Sequence, residues 1–378
     1  MPKTSTTKSS SSRYAQRRDK LLKLLQEENI PGMLVTAEVN VSYLTGFTGD
    51  SSYLLLTKDA VIIVSDSRYT TQLEEECPGI DLYIRKVTEQ LPEAIVKATG
   101  KLKLSKLAYE DSRLVVSTYQ KLSAELQGVE LVGKGGMIES KLRSIKDAME
   151  IAETREAVRL AEKGLEVLRA VLTPEMTELE AAWELERTIR RFGGRGMAFP
   201  PIVGVGDRAA LPHYYPQQYQ IREAPLVLVD WGAETFSRYR SDITRTLFTG
   251  KPTKKMADVY RVVLEAQELA IAGIRPGARC SDIDSLARQH IAKCGYGKYF
   301  GHGLGHGIGL EIHEQPRFSP TSEDVLQPGM IVTVEPGIYL AGRGGVRIED
   351  DILVTTEGHE VLSTTPKDFE SMCLVGGA

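Results

Sequence analysis

The feature that most constrains the fold is a set of apolar positions that recurs after 102 residues. Residues 151–172 place apolar side chains at helical spacing and stop before Pro174, and residues 254–274 repeat the offsets and stop before Pro276. Each stretch leads, through a shorter helical segment, to two β-branched runs separated by a turn, the pattern of an antiparallel hairpin. We interpret this as two copies of one helix–helix–strand unit, with chance agreement between helical periods as the alternative.

These two units predict a curved antiparallel sheet with two helix pairs packed on one face. We assign them to residues 137–378, because the glycine-rich stretch VGKGGM before them resembles a linker. Residues 13–136 alternate helical and strand-like segments, which predicts an α/β domain with a mixed sheet covered by helices. Residues 1–12 are polar and low in complexity, so we expect a disordered tail there. The fold class expected for the whole chain is α+β.

Composition narrows the class of function. A net charge of -4 over 378 residues argues against a dedicated nucleic-acid-binding protein, which is usually basic. The longest apolar runs are far shorter than the ~20 residues that span a bilayer, and residues 1–12 lack the apolar run of a signal peptide. Four widely spaced cysteines without a CxxC pair predict reduced thiols. We therefore expect a cytoplasmic protein that binds neither nucleic acid nor a membrane.

Both predicted hairpins carry carboxylates within or beside apolar strands. Asp230 ends LVLV and Asp242 precedes ITRTLF, while Glu335 ends IVTV and Glu349 lies in VRIEDDILV. A buried carboxylate is costly unless it is paired or bound to a metal, and any one of these could belong to a structural ion pair. Four that converge would repel one another unless a multivalent cation neutralised them. The symmetric placement therefore favours a metal site.

Half of the six histidines fall in one glycine-rich window, GHGLGHGIGLEIHE at residues 301–314. Neither GxGxxG nor HExxH occurs in it, which argues against a dinucleotide loop and against that zinc-peptidase motif. Carboxylates with one imidazole suit Mn²⁺, Co²⁺ or Zn²⁺, and five such groups could serve two ions. Three unconnected surface histidines are the alternative. His213 lies near the position of His313 in the first copy, which makes it a candidate for proton transfer or substrate binding.

Five ordered motifs resemble those of one enzyme family. PHYYP, DWGAETFSRYRSDITRT, GHGLGHGIGLEIHE, VEPGIY and GGVRIEDD resemble the pita-bread metallopeptidases, and within them the Xaa-Pro dipeptidase (prolidase) and aminopeptidase P branch. NVSYLTGFTGDSSYLLLT and VSDSRYTTQ resemble the creatinase-like N-terminal domain of that branch. The resemblance covers nearly the whole chain after residue 13. It implies a creatinase-like N-terminal domain and a C-terminal pita-bread catalytic domain.

The resemblance also implies which residues form the site. The residues on the family's five ligand positions for two divalent ions, with Mn²⁺ preferred over Co²⁺ or Zn²⁺, are Asp230, Asp242, His306, Glu335 and Glu349. Glu335 is further implied as the base that takes the proton of the attacking water. The residues implied to act on the substrate are His213, His302, His313 and Arg347.

One spacing departs from the family pattern. Asp230 and Asp242 are twelve residues apart, one more than the resemblance leads us to expect. We expect a longer turn or a bulge to absorb the additional residue. A register shift of one would instead turn one of the two aspartates to the opposite face of the sheet.

The activity implied by the resemblance is hydrolysis of the Xaa-Pro bond, at peptide N-termini or in Xaa-Pro dipeptides, by a homodimeric metallopeptidase. The expected substrate is a proline-containing peptide, and the choice between dipeptidase and aminopeptidase P is open. Three alternatives share the fold: a metal-independent creatinase-type amidinohydrolase, a methionine aminopeptidase, and a non-catalytic binding module. The complete ligand set argues against the first and the last, and the N-terminal domain argues against the second.

Overall fold

The computed structural model describes the backbone of residues 7–374 and the side chains of residues 13–374. The chain divides into two compact units, Met1–Leu142 and Arg143–Ala378, six residues beyond the boundary expected from the sequence. The first six residues of the expected tail lie outside the described residues. The first helix begins at Thr7, before the expected start of the domain at residue 13, because no proline or glycine occurs between Thr7 and Glu27 to interrupt it.

The first unit is a mixed sheet with five helices among the described residues. Its helices are α1 (Thr7–Glu27), α2 (Glu38–Thr45), α3 (Thr70–Glu76), α4 (Leu91–Gly100) and α5 (Val116–Glu125), with a 3₁₀ turn at Ser67–Tyr69. Its strands are β1 (Gly32–Val35), β2 (Tyr53–Thr57), β3 (Val61–Asp66), β4 (Asp81–Arg85), β5 (Lys106–Tyr109) and β6 (Glu130–Gly133). They lie in the order β4-β3-β2-β1-β5-β6, with β2 antiparallel to both neighbours and the other pairs parallel.

The two edge strands of this sheet, β4 and β6, are not predicted by the sequence pattern. Their side chains are exposed or only partly buried, so neither strand carries a run of buried apolar residues. The strands that the pattern does predict are largely buried, as in β1, where all four residues are buried.

The second unit contains two long helix pairs and short antiparallel strands. Its helices are α6 (Ala148–Val171), α7 (Glu178–Arg191), α8 (Lys254–Gly273), α9 (Cys280–Lys293) and α10 (Phe369–Met372). Its strands are β7 (Gly196–Met197), β8 (Ile202–Val205), β9 (Val227–Trp231), β10 (Ala233–Glu234), β11 (Ile243–Leu247), β12 (Gly305–Gly307), β13 (Glu314–Phe318), β14 (Ile331–Val334), β15 (Gly337–Leu340), β16 (Gly344–Arg347), β17 (Asp350–Val354) and β18 (His359–Val361). Short helical turns occur at Gly206–Ala210, Ile221–Glu223 and Gly297–Tyr299, and another, Glu139–Arg143, spans the boundary between the two units.

Two antiparallel sheets form the frame of this unit. One has the order β11-β9-β8 and the other β13-β12-β14-β17-β18, while β7 with β10 and β15 with β16 form two-stranded ribbons. The two sheets meet where Thr244 of β11 pairs with Glu349, just before β17. The predicted pita-bread architecture of antiparallel strands and two helix pairs is confirmed.

The helix pairs follow the predicted repeat. Helices α7 and α9 have 14 residues each and begin at Glu178 and Cys280, which are 102 positions apart. The predicted apolar stripe of α6 is buried, with Leu165 and Leu168 each 1% exposed. One apolar core joins side chains of α6, α7, α8 and α9 to both sheets. Among residues 7–374, no helix combines the length and apolar character that crossing a membrane requires, and the four cysteines are free thiols as predicted.

Removing a core side chain of α6 should destabilise the second unit. Leu165→Ala leaves a cavity between the helices and the sheets, and we expect it to lower the unfolding free energy by about 2–5 kcal/mol. Leu269→Ala, at a side chain 46% exposed in α8, should change it by less than about 0.5 kcal/mol. Tryptophan fluorescence during denaturant unfolding measures this unit alone, because the two tryptophans of the chain, Trp183 and Trp231, both belong to it. Equal losses in the two variants would contradict the assignment of Leu165 to the core.

Candidate metal centre

The first two carboxylates lie on one hairpin and share a face. Asp230 is opposite Thr244 in the antiparallel ladder of β9 and β11, whose last pair joins Trp231 to Ile243. Asp242 therefore follows at the position opposite Gly232, two residues beyond Asp230 along β9. Because directly opposite residues point to the same side and side chains alternate with a period of two, both aspartates face the same way.

The additional residue between the aspartates is absorbed in the turn. The register of β9 and β11 continues unchanged to a bridge between Glu234 and Arg240. Beyond it, the Thr235 amide donates to the Tyr239 carbonyl at 2.9 Å, and Arg238 adopts a left-handed conformation with φ of 69°. A loop of this kind lengthens a hairpin at its tip without shifting the strands, so the expectation of a longer turn is confirmed.

Glu335 and Glu349 lie on the second hairpin, in the gap between two ladders. Strand β14 pairs with β17 on one side of the gap and β15 pairs with β16 on the other, in one continuous register. Thr244 of the first hairpin links the two halves, since its hydroxyl donates to Glu349 Oε2 at 2.6 Å and its carbonyl accepts the Glu349 amide at 3.1 Å. This link brings Asp230 and Asp242 of the first hairpin close to Glu335 and Glu349 of the second.

The glycines beside His306 allow three strands to meet there. A Cβ on Gly305 would lie 2.1 Å from the Thr333 carbonyl oxygen, and one on Gly307 would lie 2.1 Å from the Gln315 carbonyl oxygen. Only glycine fits at either position, because real Cβ atoms do not approach backbone oxygens so closely. The glycine-rich window therefore lets β12 pack between β13 and β14 and bring its imidazole to the carboxylates.

The ring of His306 is oriented as a metal ligand. Its Nδ1 lies 3.0 Å from the Gly307 carbonyl oxygen and donates to it, which leaves Nε2 with a free lone pair. That Nε2 lies 3.8 Å from Asp242 Oδ2 and 3.4 Å from Glu335 Oε1. Burial lowers the pKa of His306 to about 3, so the imidazole is neutral. Ligand atoms of Asp242, His306 and Glu349 lie within 4.8 Å of one another.

The protein compensates the carboxylates of this cluster only in part. Asp230 Oδ1 and Glu349 Oε1 are buried and have no hydrogen-bond partner among the described residues. Burial, and then the charges of neighbouring carboxylates, raise the pKa of Asp242 and of Glu349 well above the usual range. Burial also raises the pKa of Glu335 to about 8, although the Arg347 guanidinium opposes that rise. Clustered anionic oxygens with one neutral imidazole fit a divalent metal ion.

Arg347 holds one side of this cluster in place. The side chain is only 3% exposed, and its Nη2 pairs with Asp230 Oδ2. Its Nη1 donates to the Tyr339 hydroxyl at 2.8 Å and its Nε donates to the Thr244 hydroxyl at 3.1 Å. These contacts engage all three guanidinium nitrogens within the protein. Contact between Arg347 and a substrate stays a prediction.

His302 is also engaged within the protein. Its Nδ1 donates to the Gly303 carbonyl at 2.7 Å, and its Nε2 accepts from the Tyr339 hydroxyl at 3.0 Å. Burial lowers the pKa of His302 to about 4, so this ring is neutral as well. Because both ring nitrogens already form hydrogen bonds within the protein, His302 is suited to contact a substrate through the face of its ring.

His213 and His313 are the two exposed histidines of the site. The His313 ring lies 4.4 Å from the His306 ring, centroid to centroid, and stands perpendicular to it. Together with the other predicted residues, both line one cavity of about 840 Å³. All nine site residues predicted from the sequence line this cavity: His213, Asp230, Asp242, His302, His306, His313, Glu335, Arg347 and Glu349.

Tyr339 and Arg317 are cavity residues with polar side chains that the sequence reasoning does not predict. Tyr339 lies in the VEPGIY motif, and its contact with His302 follows only from the hairpin geometry. Arg317 is exposed on β13, and within residues 13–374 no carboxylate lies within 4 Å of its guanidinium. The sequence indicates a role for Arg317 only through its position, four residues after His313.

Comparison with known proteins places the chain in a family. The model of metallopeptidase family M24 matches residues 152–356, and the model of the creatinase/prolidase N-terminal domain matches residues 17–145. The uncharacterized peptidase YqhT of Bacillus subtilis is 38% identical over 351 residues, which cover 93% of this chain and 98% of that protein. The chain therefore belongs to metallopeptidase family M24 and is a metallopeptidase.

Several solved structures are similar to this chain over more than nine tenths of its length. The Xaa-Pro dipeptidase from Bacillus anthracis has a TM-score of 0.89 and 38% identity, covering 94% of this chain and 99% of that one. The X-Pro aminopeptidase from Thermotoga maritima has a TM-score of 0.84 at 34% identity, covering 93% and 99%. The prolidase from Pyrococcus furiosus has a TM-score of 0.82 at 34% identity, covering 91% and 99%. Dipeptidases and aminopeptidases are thus both among the similar structures.

Two buried aspartates of the second unit should respond oppositely to loss of their charge. Asp242 repels the carboxylates around it, so in metal-free protein Asp242→Asn should raise the unfolding free energy by about 1 kcal/mol or more. Asp350 instead accepts from Arg245 at 2.8 Å and Lys367 at 2.7 Å, so Asp350→Asn should lower it by about 3 kcal/mol. Denaturant unfolding in a chelator, followed by tryptophan fluorescence, measures both. A loss of stability in Asp242→Asn would show that the cluster is already compensated.

Proposed function

We propose that the protein is a dinuclear metal-dependent peptidase that cleaves the bond between an N-terminal residue and a following proline. The observation that carries the proposal is the convergence of four carboxylates and one neutral imidazole, with two buried carboxylate oxygens left without partners. The similarity to solved Xaa-Pro dipeptidases and an X-Pro aminopeptidase supports the choice of substrate.

The proposed ligands of two divalent ions are Asp230, Asp242, His306, Glu335 and Glu349, with Mn²⁺ as the preferred metal. When bound, the ions would polarise the scissile carbonyl and make a water nucleophilic at neutral pH. Oxygen-rich ligand sets with a single imidazole suit Mn²⁺ and Co²⁺ better than thiolate-preferring ions.

Glu335 is the proposed general base. Its side chain is 18% exposed, whereas the side chains of Asp242 and His306 are 8% and 7% exposed, so it reaches further into the cavity. A carboxylate there can take the proton of the attacking water and pass it to the leaving nitrogen. That transfer is needed because the proline nitrogen must gain a proton to leave as a neutral amine.

The exposed histidines are proposed to act on the substrate carbonyl. His213 and His313 face the cavity, and neither ring hydrogen-bonds another described residue. Either ring can therefore donate to the oxygen on which negative charge develops during attack. His302 and Tyr339 are proposed to shape the wall against which the proline ring lies. The apolar part of the wall contains Phe199, Ile202, Pro212, Ile312 and Phe318.

Arg317 favours dipeptides over longer peptides. Its exposed guanidinium has no ion-pair partner within residues 13–374, and it lines the cavity that also contains His313. A free carboxylate at the end of an Xaa-Pro dipeptide would supply that partner. We further propose that the protein is a cytoplasmic homodimer; the free thiols support the location, and the molar mass in solution tests the assembly.

Metal binding and hydrolysis should be lost together in Asp242→Ala. In the wild type, added Mn²⁺ should raise the melting temperature and permit hydrolysis of a Xaa-Pro dipeptide. In Asp242→Ala both effects should disappear, while Asp258→Ala, at an exposed position of α8, should retain both. Melting curves measure stabilisation by the metal, metal analysis measures the amount bound, and product release measures hydrolysis. Metal binding without hydrolysis would favour the binding-module alternative, and hydrolysis after complete metal removal would favour the creatinase-type alternative.

Replacing Arg317 should affect dipeptides more than tripeptides. A charge-assisted hydrogen bond contributes about 1.5–3 kcal/mol, so Arg317→Gln should raise KM for a Xaa-Pro dipeptide roughly 10- to 100-fold. KM for a Xaa-Pro-Xaa peptide should change little, and Arg317→Lys should restore part of the affinity for the dipeptide. Equal effects on both substrates would argue against a carboxylate contact and for aminopeptidase specificity.

A further inference from the structure

Glu178 is a charged residue in a fully buried position, outside the metal centre. It is the first residue of α7 and is 0% exposed. Its Oε1 accepts from the Val205 amide at 2.8 Å and from Arg208 Nε at 3.0 Å. Its Oε2 accepts from the Tyr214 hydroxyl and from the Gln217 amide, both at 2.9 Å. One carboxylate thus gathers four donors.

All four donors belong to one segment, residues 205–217, and this segment contains His213. Two of them precede His213 in the chain and two follow it, so the carboxylate closes the segment into a loop. Neutralisation by Arg208 and the positive end of α7 allow the charge to be buried. Burial and the adjacent Glu178 raise the pKa of Tyr214, which keeps its hydroxyl protonated as a donor.

The position of His213 depends on this loop. Within the part of the chain that the structure describes, the His213 ring forms no hydrogen bond of its own. Its neighbour Tyr214 lines the same cavity, and the Tyr214 hydroxyl points away to Glu178. The ring is therefore placed by the backbone on either side of it.

The other two histidines around the metal ligand lie in segments that are held in the same way. Asp284, which is 0% exposed, accepts from the Leu304 amide at 3.1 Å, two residues after His302. Glu314, which follows His313, is 5% exposed and accepts from the Glu311 amide at 3.0 Å. A buried carboxylate that binds a backbone amide is thus common to all three histidine segments.

We propose that Glu178 is a positioning residue, which holds the segment of residues 205–217 so that His213 faces the substrate carbonyl. The kinetic part of this proposal rests on the proposed function. Glu178 touches neither the substrate nor the metal ligands, and it acts through Tyr214 and the loop backbone.

The test compares Glu178→Gln with Glu180→Gln in the full-length, metal-loaded protein. A glutamine at 178 has the shape of glutamate but only one accepting oxygen, so it leaves an amide of the loop without a partner. Glu180 forms the capping box of the same helix with Thr177 and does not contact the loop, which makes it a matched control. The measurements are hydrogen exchange by mass spectrometry, metal content, kcat and KM.

In Glu178→Gln, peptides covering residues 205–217 should exchange about tenfold faster, and kcat for a Xaa-Pro dipeptide should fall about tenfold at unchanged metal content, with little change in KM. Exchange in residues 301–314 should not change. Glu180→Gln should retain wild-type exchange in residues 205–217 and wild-type kcat. Tyr214→Phe removes one donor, leaves the charge paired and should lower kcat about threefold; it replaces Glu178→Gln in the test if that variant does not fold.

Wild-type exchange and kcat in Glu178→Gln or, if that variant does not fold, in Tyr214→Phe would overturn the proposal, and so would equal changes in Glu180→Gln. If the wild type hydrolyses no Xaa-Pro peptide, the proposed function fails instead. Exchange in residues 205–217 then still decides whether Glu178 holds the loop.

Discussion

Repulsion among four carboxylates that face one another is the constraint on which the second unit depends. Asp230 and Asp242 come from one hairpin and Glu335 and Glu349 from the other, and the strands around them are buried. Buried carboxylates that lie close together move apart or become protonated unless a cation binds between them. Among the described residues, Arg347 pairs with Asp230, and the hydroxyls of Thr244 and Thr333 donate to Glu349 and Glu335. These contacts leave the cluster short of positive charge.

Asp350, the residue after Glu349, is a buried acid that the fold does neutralise. Asp350 follows Glu349 and points to the other side of the sheet, where Arg245, Lys367 and Gln267 all donate to it. These contacts, with burial acting against them, hold the pKa of Asp350 below its usual range. Two consecutive acidic residues therefore have opposite surroundings, one supplied with cations and one left without them. This difference distinguishes a structural ion pair from a site that is ready to receive an ion.

The sequence predicted the parts of this arrangement that depend on local pattern. The helix pairs, both hairpins and the nine residues around the cavity follow from periodicity, from acids placed in apolar runs and from ordered motifs. The sequence could not predict that Tyr339 contacts His302 or that the Arg317 guanidinium lacks an ion-pair partner among the described residues. Both features depend on how distant strands pack. The edge strands β4 and β6 were missed because partly exposed strands carry no buried apolar run. The assignment of His306 as a metal ligand and of the other histidines to the substrate came from the family resemblance, not from the glycine-rich window itself.

The distribution of the candidate ligands has a consequence for assembly of the unit. Two lie in the first half of the repeated helix–helix–strand arrangement and three in the second, and the halves touch through the pair of Thr244 and Glu349. Neither half holds a complete ligand set, so ions that share all five ligands can bind only after both halves have folded and met. Folding of the unit and occupancy of such a site would be one linked equilibrium, because the separate halves offer no complete site.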